Sequence, residues 1–199
     1  MAFSHGFSPH PKISYAGAAP TGAASEAEYL EISLTHERDA EQVRAALDEA
    51  LPTGLDVLEV VVAGPGSLAE RLEASEWRIA LPGVDPEVAG AAVEAFLARE
   101  EILVERMTKR GVRSFDCRAA VLRLTVASEP GSVAACAILQ VVLRHGTPAV
   151  RPDDVLAGLR TMAGLEAQVA PFHERLAQGP LDAENGTVGD PLALNRDTA

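Results

Sequence analysis

The stretch between residues 76 and 163 alternates strand-type and helix-type hydrophobic patterns, and no other feature of the sequence constrains the fold as strongly. Its order is strand, helix, three strands and helix. Asp85 is an N-cap type residue, and Pro86 suits the first position of the first helix. The second helix begins near Pro152 and is expected to end at Gly164, a residue type that favours helix termination. The predicted strands lie at 77–81, 101–108, 113–127 and 135–144.

This order is close to that of a ferredoxin-like split βαβ unit with one strand broken near residues 118–120. Residues 11–63 show strand, strand, helix and strand, which is the same unit without its opening strand and helix. We therefore predict an α+β fold of two ferredoxin-like halves, the first lacking those two elements. Their absence would expose apolar surface and an unpaired strand edge. Either another chain fills this gap or the true N-terminus lies upstream.

The domain boundaries are predicted from the same patterns. Residues 1–66 form the incomplete first half and residues 67–165 the second half. Residues 166–199 form a C-terminal extension, expected to be mostly flexible because 177–199 is rich in Gly, Pro, Asp and Asn without periodicity. The predicted elements of the first half are strands at 13–16, 28–35 and 55–63 and a helix between Asp39 and Pro52.

Composition and cysteine usage exclude several classes of protein. The 199 residues carry a formal net charge of −12, which argues against a surface that binds nucleic acid everywhere. Cys117 and Cys136 are far apart in sequence and cannot ligate an iron–sulfur cluster or form a zinc site, so no metal site is predicted. The chain has no apolar run of about 20 residues, the length of a membrane span. We expect a cytoplasmic protein without membrane contact.

A basic segment interrupts this acidic chain between Val104 and Arg123. Six basic residues against Glu105 and Asp116 give a local charge of +4, which leaves −16 for the remainder. A hairpin turn is expected at Gly111, so the basic side chains around it could together bind phosphate groups. The alternative is a solvated hairpin whose charges pair with acidic groups of the same chain. The predicted contact residues are Arg106, Lys109, Arg110, Arg113 and Arg118.

Two residues are weak candidates for acid–base chemistry. His10 lies between Pro9 and Pro11, which hold its backbone extended and could display the imidazole at a fixed angle. Asp116 could orient a ligand together with Arg118. A loop histidine bonded to backbone and a structural salt bridge are the alternatives, and they explain the same residues.

Three separated motifs are distinctive. They are Gly6, Phe7, Pro9, His10, Pro11, Lys12, Ser14 and Ala16; Pro20, Gly22, Ser25, Glu26, Ala27, Glu28, Tyr29 and Leu30; and Thr108, Lys109, Arg110, Gly111, Asp116 and Arg118. They resemble the radical-SAM-associated protein family, a bacterial domain of unknown function fused to or encoded beside a B12-binding-type radical SAM protein. The resemblance covers residues 3–165 and is closest to the actinobacterial stand-alone form. Family members carry a strand and a helix ahead of Phe3, which implies an N-terminally truncated chain, and Ala119 stands where the family has Pro.

The resemblance implies an auxiliary module that acts with a radical SAM protein on an RNA or ribosome-linked substrate, with the basic hairpin as contact surface. This chain is expected to bind no cofactor, while the partner carries an iron–sulfur cluster and S-adenosylmethionine. One alternative is an enzyme with His10 and Asp116 in a pocket between the halves. Another is a protein-interaction module that completes a partner's fold by strand pairing.

Overall fold

A computed structural model of the chain describes residues 1–109, 111–128 and 136–196. The longest helices have 12 residues, and no helix among the described residues is long and apolar enough for a membrane span. The helices are α1 (Ala40–Ala50), α2 (Leu68–Arg71), α3 (Pro86–Leu97), α4 (Pro152–Ala163) and α5 (Ala193–Arg196). The strands are β1 (Ile13–Ala16), β2 (Ala24–Ser25), β3 (Tyr29–Ile32), β4 (Ala74–Pro82), β5 (Leu103–Thr108), β6 (Gly111–Asp116), β7 (Val121–Ser128), β8 (Cys136–Arg144), β9 (Phe172–Gly179), β10 (Leu181–Asp182) and β11 (Thr187–Val188).

The chain forms two compact units, and neither is contiguous in sequence. The smaller unit comprises Met1–Ala18, Tyr29–Glu70 and the C-terminal residues from Pro191. The larger unit comprises Ala19–Glu28 and Arg71–Asp190. Residues 19–28 therefore belong to the larger unit, whereas the predicted domains are contiguous segments.

A five-stranded mixed sheet in the order β2, β9, β4, β8, β7 forms the centre of the larger unit. Strand β4 is antiparallel to β8 on one edge and to β9 on the other, and β2 is parallel to β9. Helix α3 contacts α4, β7 and β8. The apolar core lies between these elements, with alternate β4 residues such as Trp77, Ile79 and Leu81 meeting Phe96 of α3 and Leu159 of α4.

The sequence signals at helix and strand ends are confirmed in this unit. The Asp85 carboxylate accepts the backbone N–H of Glu87 at 2.7 Å and caps α3. Gly164 adopts a φ of 64° and ends α4. The predicted break in the long strand is a 3-10 turn at Arg118–Ala120, which separates β6 from β7. The α+β class is therefore confirmed.

One part of the predicted C-terminal extension is wrong. Phe172–Gly179 forms β9, which lies in the interior of the sheet between β2 and β4. Its sequence lacks apolar alternation because two of its buried residues are Arg175 and Gln178, whose polar groups are hydrogen-bonded. Pattern analysis interprets such residues as solvent-exposed.

The smaller unit is built from the antiparallel pair of β1 and β3 and from helix α1. Asp39 caps α1 as predicted, since its carboxylate accepts the backbone N–H of Gln42 at 3.0 Å. Every residue of α1 is at least partly exposed. The helix therefore lacks the fully buried stripe seen in α3 and α4.

The predicted strand at 55–63 is wrong: these described residues join no sheet. Side chains bind their backbone instead. Asp48 accepts the N–H of Val57 at 2.9 Å, and the Asn195 amide donates to the carbonyl oxygen of Val62 at 2.9 Å. An apolar segment needs a neighbouring strand to form a ladder, and residues 55–63 pair with none of the strands that the structure describes.

Gly158 of α4 marks the closest packing in the core. A methyl group at this position would lie 2.8 Å from Cε2 of Phe96 and 3.0 Å from Sγ of Cys117. We predict that Gly158→Ala lowers the free energy of unfolding by about 1–3 kcal/mol through overpacking. Gly90→Ala on α3, where a methyl group meets nothing within 4 Å, is the matched control and should stabilise by about 0.5–1 kcal/mol. Urea unfolding measures both, and equal effects would contradict the packing account.

Candidate functional site

The basic segment forms the predicted hairpin from β5 and β6. Met107 pairs with Val112 and Arg106 with Arg113 across the two strands. Because directly opposed residues share a face, Met107 and Val112 lie together on one face, and both are more than half exposed. The other face carries Val104, which is buried, and the two arginines. The face of Met107 and Val112 also carries Glu105 and Ser114, which pair with each other, so this face is mixed. Arg106 and Arg113 lie on the opposite face, and Lys109 lies at the turn.

Arg106 is bound within the larger unit. Its guanidinium donates to the Asp154 carboxylate at 2.8 Å and to the carbonyl oxygen of Ala149 at 3.1 Å, and it lies 4.8 Å above the Phe115 ring. Burial raises the pKa of Asp154, while the backbone N–H of Arg151 and the Arg106 charge act in the opposite direction. Arg106 thus holds the hairpin on the first turn of α4. This residue follows the alternative given above for the basic hairpin, in which its charges pair with acidic groups of the same chain.

Lys109 and Arg113 are exposed, so two members of the predicted contact set face solvent. Arg110 lies outside the described residues. Arg118 donates to the carbonyl oxygen of Val121 at 3.0 Å, which ties it to the turn before β7. The hairpin therefore offers a smaller basic surface than its sequence suggests.

Asp116 has a structural position at the base of the hairpin. Its carboxylate accepts the backbone N–H groups of Ile102 at 2.9 Å, Arg118 at 2.8 Å and Ala119 at 3.2 Å. Both oxygens are engaged in these bonds. His10 belongs to the smaller unit and Asp116 to the larger unit. The enzyme alternative that joins these two residues stays a prediction.

His10 lies in an exposed loop at the N-terminus of the smaller unit. Its backbone N–H donates to Oγ of Ser4 at 3.0 Å, and its carbonyl oxygen accepts the N–H of Ser4 at 2.8 Å. Phe3 and Pro11 form a bridge below this loop. Gly6 has a φ of 134°, and Phe7 at the tip is fully exposed. The first motif thus displays an aromatic side chain on a short backbone-bonded loop.

The second motif anchors the start of the larger unit on a buried arginine. Arg175 of β9 is only 3% exposed, and its guanidinium binds the Glu28 carboxylate, Oγ of Ser25 at 3.2 Å and Oε1 of Gln178 at 3.2 Å. The Gln178 amide in turn donates to the carbonyl oxygen of Ala27 at 2.6 Å. A buried cation is stable only when paired and hydrogen-bonded, and this motif supplies those partners.

A second set of buried polar groups lies beside Arg175, whose guanidinium is 5.6 Å from the Trp77 ring. The Trp77 indole donates to Oγ of Ser75 at 2.8 Å, and that hydroxyl lies 3.0 Å from Nε2 of His145. Nδ1 of His145 lies 2.7 Å from the carbonyl oxygen of Leu72. Since a carbonyl oxygen only accepts, Nδ1 of His145 carries a proton, and the Ser75 hydroxyl, which accepts from the indole, can donate to Nε2. Burial also lowers the pKa of His145.

Sequence analysis missed Arg175, Gln178 and His145. The only signal for β9 was its bounds, since Pro171 precedes it and Gly179–Pro180 ends it, a pattern typical of a strand between turns. These buried groups support the fold and bind one another. Among the described residues, no three His, Cys, Asp or Glu side chains are grouped to hold a metal ion.

Two clefts lie in the smaller unit. The first has a volume of about 340 Å³, and the second has about 410 Å³. The first is lined by Ile32, Leu34, Thr35, His36, Glu37, Arg38, Ala40, Val43 and residues 60–63. The second is lined by Lys12, Ile13, Ser14, Glu31, Ile32, Ser33 and Ala63. Eight of the twelve residues that line the first cleft are apolar, whereas four of the seven that line the second are polar or charged. An apolar cleft that is open to solvent is typical of a surface that contacts another molecule.

The pair of Glu28 and Arg175 is testable with a neighbouring residue as control. Glu28→Gln leaves the Arg175 charge buried without a carboxylate, so we predict a loss of about 2 kcal/mol in the free energy of unfolding. Glu26→Gln changes an exposed carboxylate of the same motif and should stay within about 0.5 kcal/mol of the parent protein. Urea unfolding followed by the fluorescence of Trp77, the single tryptophan, measures both. Equal stability of the two variants would show that the pair is not a determinant of the fold.

Comparison with known proteins gives a family for this chain. No curated protein and no solved structure shows a significant match. A family model described as an uncharacterized protein conserved in bacteria, DUF2344, matches residues 1–152. The match includes His10, Glu28 and the β5–β6 hairpin, whereas Arg175 lies beyond it. Since the matched residues are more than half of the chain, this protein belongs to the DUF2344 family of uncharacterized bacterial proteins.

Proposed function

We propose that this chain is an auxiliary, non-catalytic module that acts with a radical SAM protein through direct protein–protein contact. The three sequence motifs that resemble the radical-SAM-associated family suggest the partner. The apolar surface of the smaller unit suggests the mode of contact.

One observation carries the proposal: the β1–β3 pair exposes apolar side chains on one face. Tyr15 lies opposite Leu30, and Ile13 lies opposite Ile32, so the four residues share a face. Tyr15 is 69% exposed and Leu30 44%. Phe7, at the tip of the N-terminal loop of this unit, is fully exposed. Contiguous exposed apolar groups of this kind mark protein interaction sites.

The cofactors belong to the partner in this proposal. This chain binds none, and the radical SAM protein holds the iron–sulfur cluster and S-adenosylmethionine. Cys117 and Cys136 are free cysteines, and burial raises the pKa of the Cys117 thiol to about 12. A thiol that stays protonated in the core is a poor cluster ligand or nucleophile. We place the complex in the cytoplasm of an actinobacterium.

We also propose a ferredoxin-like split βαβ topology for the larger unit. The strand order β9, β4, β8, β7 and the positions of α3 after β4 and α4 after β8 support it. The β5–β6 hairpin is an insertion between α3 and β7. The fourth strand is then β9, which lies beyond the predicted second half at 67–165.

RNA binding by the β5–β6 hairpin is a second candidate function. Lys109 and Arg113 are exposed there, in a segment whose local charge is +4. Cationic groups near a turn contact phosphates without sequence preference, and such binding weakens with salt. An RNA or ribosome-linked substrate of the partner is the ligand that this surface suits.

Two pairs of substitutions separate the two candidates. Tyr15→Thr with Leu30→Thr removes the exposed apolar pair of β1–β3 while keeping strand-forming residues. We predict that this double substitution lowers the amount of a co-expressed radical SAM protein that co-purifies with the chain at least about tenfold. A tenfold change in affinity is equivalent to about 1.4 kcal/mol of binding free energy. Met107→Thr with Val112→Thr changes the matching pair of the β5–β6 hairpin and should leave recovery unchanged.

RNA retention on filters provides the second measurement. Lys109→Glu with Arg113→Glu should abolish salt-sensitive retention and leave co-purification intact. If the parent protein retains no RNA at low salt, the second candidate is excluded. If the variant with Tyr15→Thr and Leu30→Thr co-purifies like the parent, protein–protein contact through β1–β3 is excluded.

A further inference from the structure

We propose that the smaller unit takes up a strand–helix segment of another polypeptide, with the strand inserted between β3 and residues 60–63. This inference rests on the proposed function, because it specifies how the interaction module binds a partner. It commits to one occupant: a predominantly apolar strand segment without net charge, followed by an amphipathic helix.

The larger unit provides a comparison, because its sheet has a central strand that is paired on both edges. There β7 and β8 form an antiparallel pair, α4 follows, and β9 returns to the sheet. Strand β4 lies between β8 and β9 and is antiparallel to both. The smaller unit has a similar succession in β1, β3, α1 and residues 55–63, although those last residues form no strand. Its described residues contain no equivalent of β4 or α3.

The first cleft of the smaller unit lies where the equivalent of β4 would be. Ile32 and Leu34 line this cleft together with residues 60–63, and Ala40 and Val43 of α1 contribute to the lining. Strand β3 is paired with β1 on its other edge. Residues 55–63 join no sheet in the described part of the chain. An inserted strand would give both β3 and residues 60–63 a partner for backbone hydrogen bonds.

The exposed face of β1–β3 lies where the equivalent of α3 would pack. Ile32 lines the cleft together with Ala40 and Val43, so the face that carries Tyr15 and Leu30 is on the same side as α1. In the larger unit α3 covers the corresponding strands β7 and β8 on the side of α4. A strand alone would leave Tyr15 and Leu30 in water. The occupant therefore brings a helix.

Charge and area restrict the occupant further. The charged residues that line the two clefts are Lys12, Arg38, Glu31 and Glu37, so positive and negative charges balance although the chain carries −12. A lining whose charges balance is complementary to a segment without net charge. The exposed parts of Ile13, Tyr15 and Leu30 amount to roughly 300 Å², below the roughly 800 Å² that each partner buries in a standard interface. An inserted segment adds backbone hydrogen bonds to this small apolar area. A second copy of the chain packed face to face on the exposed strands would not add them.

The chain itself contains a suitable probe. Residues 74–97 comprise β4 and α3, the strand–helix segment of the larger unit. A second copy of these residues, joined to the N-terminus of the full chain by a flexible linker, is present at an effective concentration near the millimolar range. We predict that hydrogen exchange at β3 and at 60–63 slows at least about tenfold, while exchange in β8 does not change. A scrambled copy of 74–97 on the same linker is the control.

A substitution in the first cleft tests whether the slower hydrogen exchange depends on the residues that line it. Leu34→Lys places a charge in the lining, and Leu58→Lys places one on an 80% exposed residue of the same unit outside that lining. Leu34→Lys should abolish the slower exchange and Leu58→Lys should preserve it. Sedimentation shows whether each protein stays at the same oligomeric state.

Three outcomes would overturn the inference. These are unchanged exchange at β3 with the true copy, equal protection with the scrambled copy, and protection of β3 in the unfused chain through self-association. The experiment contains no radical SAM protein. Its failure is therefore distinct from a failure of co-purification, which would overturn the choice of partner alone.

Discussion

Pairing on both edges of β4 is the constraint on which the larger unit depends. The strand runs over nine residues, and β8 and β9 bind its opposite edges. Its buried side chains alternate along the strand and meet α3 and α4, so backbone bonding and apolar burial are satisfied together. The described residues of the smaller unit contain an antiparallel strand pair and a helix but no such central strand, and the cleft and the exposed apolar face accompany that difference.

The buried polar groups of β9 stabilise the larger unit in a second way. Arg175 and Gln178 lie where apolar side chains are usual, and they bind Glu28, Ser25 and the backbone of Ala27. These bonds fix residues 25–28, just before the chain enters the smaller unit. The second family motif is thus explained by the support it gives to the fold, and the motif residues need not be catalytic.

Local signals in the sequence were sufficient for most helices and strands. Asp39 and Asp85 cap the helices that they were expected to cap, and Gly164 ends α4. The prediction was wrong where stability depends on distant residues. Residues 55–63 have the composition of a strand but pair with no strand in the described part of the chain, and β9 has the composition of a loop but several polar partners. Neither fact can be obtained from a local pattern.

The candidate site was less predictable than the fold. The basic hairpin was placed correctly, but Arg106 proved to be paired with Asp154, which is 48 residues away in sequence. Charge counts show only that cations are clustered, while long-range ion pairs decide which of them face solvent. The apolar face of β1–β3 was expected from the missing strand and helix, since their absence predicted uncovered apolar surface.

The central claim is that one unit has a filled sheet and the other an open one. Hydrogen exchange of the unmodified full chain, resolved by peptide, tests it most directly. The account predicts that residues 29–32, which pair on one edge, exchange about 100-fold faster than residues 138–142, which pair on both. Equal protection of the two strands would contradict it.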